Sequence, residues 1–330
     1  MMTMKSYEIA LTGSLLTMFG LYKYYLPSDT GNLGSLKDTK STIVTFKEDH
    51  WPEHGYVDLP YGKTHYYFIG PKNGKRLVFV HGISTPAPCL PRLFDILASK
   101  GYRILCYDLY GRGYSDSPGT IYNNGLFIVQ LANLLQYFDW KGATIIGYSL
   151  GGAVTAGFVS RYPEWVSSVI LVAPAGIMKK MPFLATLLKI PFLGNLLIHT
   201  VGSTILSKIS LTNHLLTAQE SKDVAHFNEY QEYHIKNNPG LMRSFRSTVL
   251  NFDFNNQKSA FESLGQTHAK NILGIWGDKD TVVPTELQHD LKRLIPTINM
   301  VIKDHASHSV LIEYPEFVAD TIDEFLKKIE

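Results

Sequence analysis

The sequence predicts an α/β fold: a mostly parallel central sheet flanked by helices, with a helical insertion over one end. Three observations carry this. After residue 55, short apolar runs rich in β-branched residues alternate with helix-length amphipathic segments, the pattern of parallel strands and crossover helices. Between about Gly176 and Ala260 the alternation stops and the chain reads as helix alone. The stretch "GYSLGG", Gly147 to Gly152, falls where a strand gives way to a helix, and such sheets gather functional groups at the carboxyl ends of their strands.

The elements follow in order. "HYYFIG" reads as a strand, and "KRLVFVHG" as a central strand ending at His81-Gly82. Arg92 to Lys100 reads as a helix stopped by Gly101. "YRILCYDL" is the next strand and "GLFIVQLANLLQYF" the next helix. Ala143 to Ile146 is an apolar run leading into Ser149, and a helical pattern through Val154, Phe158 and Val159 is stopped by Pro163. "VSSVILVAP", "NILGIWGDKD" and "INMVIKD" are further strands, with "TELQHDLKRLI" helical between the last two. The amphipathic "EFVADTIDEFLKKI" closes the chain as a helix. The insertion contains the strongly apolar "PFLATLLKIPFLGNLLIHTVGSTIL", which Lys189, Pro191 and Gly194 interrupt too often for a membrane span.

The domain plan is therefore a hydrophobic N-terminal segment at 1–26, a linker at 27–42, a core built from 43–175 and 261–330, and a helical lid at 176–260. Residues Ile9 to Tyr22 carry no charge, and Lys23, Tyr24 and Tyr25 follow. This segment just spans a bilayer if Lys23 snorkels, and tyrosines suit an interface. A membrane anchor is the favoured reading and a packed helix the alternative. Residues 27–42 are rich in Gly, Ser, Thr and Asp, a linker composition.

Net charge is +2 over 330 residues, with no basic cluster, which argues against a nucleic-acid partner. The two cysteines, Cys89 and Cys106, form no CxxC or Cys/His ligand spacing, so neither a metal site nor a disulfide framework is expected. Cys106 lies in an apolar run and reads as a buried thiol.

Gly-x-Ser-x-Gly alone is a weak signal. In this context it places Ser149 on a sharp strand-to-helix turn, with small neighbours at Gly147 and Gly151 relieving the crowding. Such a turn lifts the hydroxyl clear of the sheet and aims the first N–H groups of the helix at whatever it attacks. An idle serine at a glycine-rich strand end stays open until partners are found. A nucleophilic serine needs a base, and the base needs an orienting acid. Of the twelve histidines, only His305 and His308 cluster at the end of a late strand. Asp278 and Asp280, in "WGDKD", leave another strand end, although Gly-Asp-Lys-Asp is also ordinary turn chemistry. The chain order is serine, acid, histidine.

Five stretches in this order, "VFVHGIS", "YDLYGRGYSDSP", "GYSLGG", "WGDKDTVVP" and "SHSVLIEYPEFV", resemble the α/β-hydrolase-fold serine hydrolases from about residue 55 to the C-terminus. The resemblance implies the α/β-hydrolase fold and a triad of Ser149, Asp280 and His308. Asp280 is preferred to Asp278 by its spacing to the proline, and His308 to His305 by the following Glu313-Tyr314-Pro315. It implies an oxyanion hole from the backbone N–H groups of Leu150 and Ile83, with His81 holding the loop. Ser307 stands where relatives often have glycine, a departure from the family pattern in this loop that leaves the chemistry intact. Serine at the elbow excludes the epoxide hydrolases and haloalkane dehalogenases, which use aspartate there, and no HGGG motif is present. The layout of apolar lid and N-terminal segment resembles the membrane-anchored monoacylglycerol lipases. It implies an apolar or lipid ester as substrate and no metal or organic cofactor. The apolar lid residues, Phe183 and Phe192 among them, either line a tunnel for an acyl chain above Ser149 or simply pack on the sheet domain. The resemblance also implies membrane association, at the endoplasmic reticulum or another internal membrane, or else a cytoplasmic enzyme. Acyl transfer to an alcohol or lysolipid, hydrolysis of a carbon–carbon bond, and a non-catalytic scaffold are the alternatives; the first ranks lower because Glu313 replaces the aspartate of a His-x4-Asp pattern.

Overall fold

A computed structural model describes residues 31–39, 47–181, 183–190, 193–204, 206 and 221–329. Within it lie strands β1 (Glu53–Leu59), β2 (Gly62–Ile69), β3 (Lys75–Val80), β4 (Tyr102–Tyr107), β5 (Ala143–Tyr148), β6 (Val166–Val172), β7 (Ile272–Gly277) and β8 (Asn299–Lys303). Helix α1 (Pro91–Ser99) precedes β4, α2 (Asn124–Phe138) precedes β5, and α3 (Leu150–Val159) precedes β6. The insertion carries α4 (Phe183–Leu188), α5 (Leu193–Thr200), α6 (Lys222–Asn237) and α7 (Leu241–Asn251). Helices α8 (Lys258–His268), α9 (Leu287–Leu294), α10 (Val310–Glu313) and α11 (Pro315–Lys328) complete the core.

The sheet order is β1-β2-β4-β3-β5-β6-β7-β8. β1 pairs antiparallel with β2 and β2 with β4, and every other pairing is parallel. Side chains alternate across the sheet with period two, so Val78 and Val80 join one apolar cluster while Leu77 and Phe79 join the other. α2, α3, α8 and α9 cover the first face; α1 and α11 cover the second. Burial on both faces explains why β5, β6 and β7 read as near-continuous apolar runs.

Three points depart from the sequence reading. β1 is an edge strand in which only Val57 is buried, so its apolar signal is faint. Part of the expected linker is docked: the Leu33 N–H donates to the Ser117 carbonyl at 2.9 Å, the Leu36 N–H donates to that of Gly113 at 3.1 Å, and Leu36 is buried. Lys37 pairs there with Asp116. Helix α8 straddles the boundary expected at 260/261, and Phe261 belongs to the main core. Among the described residues no helix is long and apolar enough to cross a membrane; the segment 1–26 lies outside them.

Candidate active site

Ser149 follows the last residue of β5 and caps α3. Its backbone sits at φ 53°, ψ −116°, a conformation that non-glycine residues rarely adopt and that persists only where surroundings enforce it. The enforcement is visible. Its N–H donates to the Val172 carbonyl at 2.9 Å, and its carbonyl accepts from Gly152 at 3.0 Å and Ala175 at 2.9 Å. A Cβ on Gly151 would stand 2.0 Å from the Val80 carbonyl oxygen, and one on Gly147 would stand 2.6 Å from that of Gly151. The glycines are thus required by close backbone approach.

The structure brings Asp280 and His308 to Ser149. His308 Nδ1 lies 2.8 Å from Asp280 Oδ2, and Nε2 lies 3.0 Å from Ser149 Oγ. An ionised carboxylate only accepts, so the proton sits on Nδ1 and Nε2 is free to accept the serine proton. Asp280 is itself fixed: its Oδ1 accepts the N–H groups of Val282 and Val283, each at 2.9 Å. The Tyr148 hydroxyl donates to the His308 carbonyl at 3.2 Å. All three triad side chains are buried, with Ser149 retaining 8 % exposure.

Asp278 and His305 stand outside this constellation. The Asp278 carboxylate pairs with Lys279 at 2.8 Å, and that hydrogen bond lowers its pKa. His305 is exposed at φ 59°, with its carbonyl accepting from the Tyr314 hydroxyl at 3.1 Å.

Of the two expected oxyanion donors, Leu150 follows the serine directly and Ile83 lies on the loop after β3. Leu150 is the first residue of α3, so its N–H has no intrahelical partner. Neither the Leu150 nor the Ile83 N–H meets a hydrogen-bond acceptor among the described residues. His81 explains how the Ile83 peptide is held. Its Nε2 accepts the Leu109 N–H at 2.8 Å, so the ring proton is on Nδ1 and donates to the Gly82 carbonyl at 2.6 Å. The Gly82 carbonyl and the Ile83 N–H belong to one trans peptide and point in opposite directions; fixing one aims the other. Burial pulls the His81 pKa down to about 4, against an opposing pull from Asp108, so the ring is neutral and keeps this tautomer near neutral pH.

Ser307 ties down the loop around His308. The Ser307 N–H and hydroxyl donate to the two oxygens of the buried Glu313 carboxylate, each at 2.7 Å. The serine hydroxyl also accepts the Ser309 N–H at 3.1 Å. Sequence reasoning used Glu313 only as a family marker and assigned no role to Arg112, Gln231 or Thr248, whose partners are remote in sequence. The Phe183 side chain and all of Phe192 lie outside the described residues. Cys89 and Cys106 are buried free thiols, both pushed to higher pKa by burial. Among the described residues no group of three or more His, Cys, Asp or Glu is placed to hold a metal ion.

The fold is that of the alpha/beta hydrolases, and the sequence agrees. The chain belongs to the alpha/beta hydrolase fold family, whose model matches residues 75–315. It is 25 % identical over 253 residues to the uncharacterized hydrolase YugF of Bacillus subtilis (strain 168), covering 76 % of this chain and 89 % of the relative. It is 24 % identical over 268 residues to Lipase 3 of Moraxella sp. (strain TA144), covering 76 % of each. Among solved structures, a bromoperoxidase from Bacillus anthracis superposes with a TM-score of 0.72 at 18 % identity, over 83 % of this chain and all of that one.

Proposed function

We propose that the protein is a serine hydrolase that cleaves a carboxylic ester through an acyl-enzyme, with an apolar or lipid ester such as a monoacylglycerol as substrate. The observation that carries this is the Ser149–His308–Asp280 chain, with 3.0 and 2.8 Å links at a strained strand-to-helix turn. Ser149 Oγ attacks the ester carbonyl carbon as His308 Nε2 takes its proton. The oxyanion that forms is met by the N–H groups of Leu150 and Ile83, each such donor being worth about 3–4 kcal/mol. The intermediate collapses, the C–O bond to the alcohol breaks, and His308 returns the proton to the departing alkoxide. Water then repeats the sequence on the acyl-serine, with His308 again as base. Asp280 keeps the proton on Nδ1 and stabilises the imidazolium.

The ester reading is supported by relatives named as lipases, and the apolar preference by the lid. Ile190, Leu193, Leu196 and Val201 remain exposed there, Leu196 by 61 %. Together with the uncharged N-terminal stretch, this surface suits an enzyme that works at a membrane, internal or otherwise. The test is reaction of purified protein with a fluorophosphonate and with a nitrophenyl ester. Both should react in the wild type and neither in Ser149→Ala; labelling that survives the substitution would refute the assignment.

A further inference from the structure

Arg112 lies in the turn after β4 and is fully buried, yet among the described residues its guanidinium pairs with no carboxylate. A buried cation without an anion is costly, so its neutral partners matter. Nε donates to the Ile83 carbonyl at 3.0 Å, Nη1 to the Tyr110 carbonyl at 3.1 Å, and Nη2 to Thr248 Oγ1 at 2.9 Å. The rings of Tyr122 and Phe127 lie 5.8 and 5.7 Å from the guanidinium, a favourable setting for a desolvated cation. Burial lowers its pKa only to about 10, so it stays charged.

These acceptors belong to different parts of the molecule. Ile83 is on the loop that offers the second oxyanion donor; Thr248 is on α7 of the lid. The Thr248 hydroxyl gives its own proton to the Ser244 carbonyl at 2.8 Å, which leaves its lone pairs for Arg112. Two further contacts join the same loop to the lid. The Ile83 side chain packs against Leu188, Ile198 and Val249, and Gln231 on α6 donates to the Ser84 carbonyl. Consecutive carbonyls of the oxyanion loop are therefore gripped from lid helices, one directly and one through Arg112.

We propose that Arg112 is a positioning residue that couples the lid to the oxyanion hole: it locks the Ile83 carbonyl to the Thr248 hydroxyl, so a seated α7 holds the C-terminal side of Ile83 while His81 holds the preceding peptide, and the two together fix the aim of the Ile83 N–H. This rests on the acyl-transfer reading of Ser149. A lid displaced by substrate or by a membrane surface would then change kcat through a backbone N–H that the lid never touches.

The test uses the full-length protein and nitrophenyl acetate, whose acyl group is too short to need the lid. Thr248→Val is nearly isosteric and removes the acceptor; Thr248→Ser retains it. Thr248→Val should lower kcat about tenfold, leave KM within about twofold, and weaken a trifluoromethyl ketone, which forms a tetrahedral adduct with the serine, by the same factor as kcat/KM. Thr248→Ser should stay near wild type, and Thr248→Val should add little in an Arg112→Met background. Wild-type kcat and ketone affinity in Thr248→Val would overturn the proposal. So would full additivity in the double variant, or a loss that Thr248→Ser reproduces. If Arg112→Met does not fold, the two Thr248 variants decide alone. Failure of the underlying reading has a different signature, namely turnover that persists in Ser149→Ala.

Discussion

Ser307 and Glu313 are joined twice: the serine N–H and hydroxyl each donate to one oxygen of the same buried carboxylate at 2.7 Å. The pair closes the loop that carries His308 onto α10. Hydrogen bonds to a charged acceptor contribute about 1.5–3 kcal/mol each. Glu313→Gln keeps the shape but removes the charge, and its NH2 faces the Ser307 hydroxyl, which must then accept where it now donates. It should lower stability by about 2–4 kcal/mol and reduce kcat more than KM, because His308 loses its register. Ser307→Gly keeps the backbone bond to Glu313 and should cost less. Urea unfolding and steady-state kinetics measure both; equal stability of Glu313→Gln and wild type would show that the brace carries no load.

The two histidines and two aspartates that compete in the sequence separate cleanly by geometry, and their variants should separate by rate. His308→Ala should abolish turnover, and Asp280→Asn should lower kcat by about 10³–10⁴, since it presents the wrong partner to Nδ1. His305→Ala and Asp278→Asn should keep most activity. A dead His305→Ala beside an active His308→Ala would reverse the assignment of the base.

Strands buried on both faces were legible because they have no polar face to dilute the pattern: every residue of β5 and β7 is buried. β1 was not, because an edge strand with one buried residue resembles a polar loop. The meeting of Ser149, Asp280 and His308 was legible through local signatures, each on a short turn. The supports were not. Arg112 meets Ile83 across 29 residues and Thr248 across 136, and no local pattern records a contact that only the folded chain creates. Residues 33–38 misled for a related reason. Their composition is that of a linker, while their order comes from backbone bonds to Gly113 and Ser117.

Acid should destabilise the fold well above the carboxylate range. Burial lowers the pKa of His81 to about 4 and of His234 to about 3, from an ordinary 6.5. Between pH 6.5 and 4 the unfolded chain binds protons at these sites and the folded chain does not. Stability present above pH 6.5 is thus lost as pH falls, by about 1.4 kcal/mol per pH unit for each histidine. Urea midpoints measured from pH 7.5 to 4.5 should fall, and His234→Gln should flatten the slope. A midpoint that is flat across this range in the wild type would contradict the buried, neutral state of both rings.

The docked segment before residue 39 revises where the chain tolerates truncation. Removing residues 1–30 takes away the apolar N-terminal stretch and leaves Leu36 in place. Starting at Ser41 also strips Leu36, whose burial is worth about 1.5–3 kcal/mol, and the Lys37–Asp116 pair. The first truncation should reduce membrane pelleting without loss of stability. The second should lower the unfolding midpoint as well, with nitrophenyl acetate hydrolysis surviving in both. Equal stability of the two shortened chains would mean that the docking contributes nothing.

The lid is the place to test the substrate. Leu188, Ile198 and Val249 turn inward to a small cluster of their own against Ile83, so part of the apolar sequence at 182–206 serves packing. Ile190, Leu193, Leu196 and Val201 remain exposed, more apolar surface than packing alone requires. If an acyl chain runs from Ser149 under this surface, each buried methylene contributes about 0.8 kcal/mol. Lengthening the acyl group should then raise kcat/KM several-fold per two carbons until the site is full. Phe183→Ala or Phe192→Ala should flatten or shift that dependence and leave acetate esters nearly unchanged. The measurement is kcat/KM on nitrophenyl esters from acetyl to decanoyl, each below its critical micelle concentration. Equal rates on acetyl and decanoyl esters in the wild type would remove the lipid-ester reading and leave a hydrolase of small esters, with the lid acting only through its grip on the oxyanion loop.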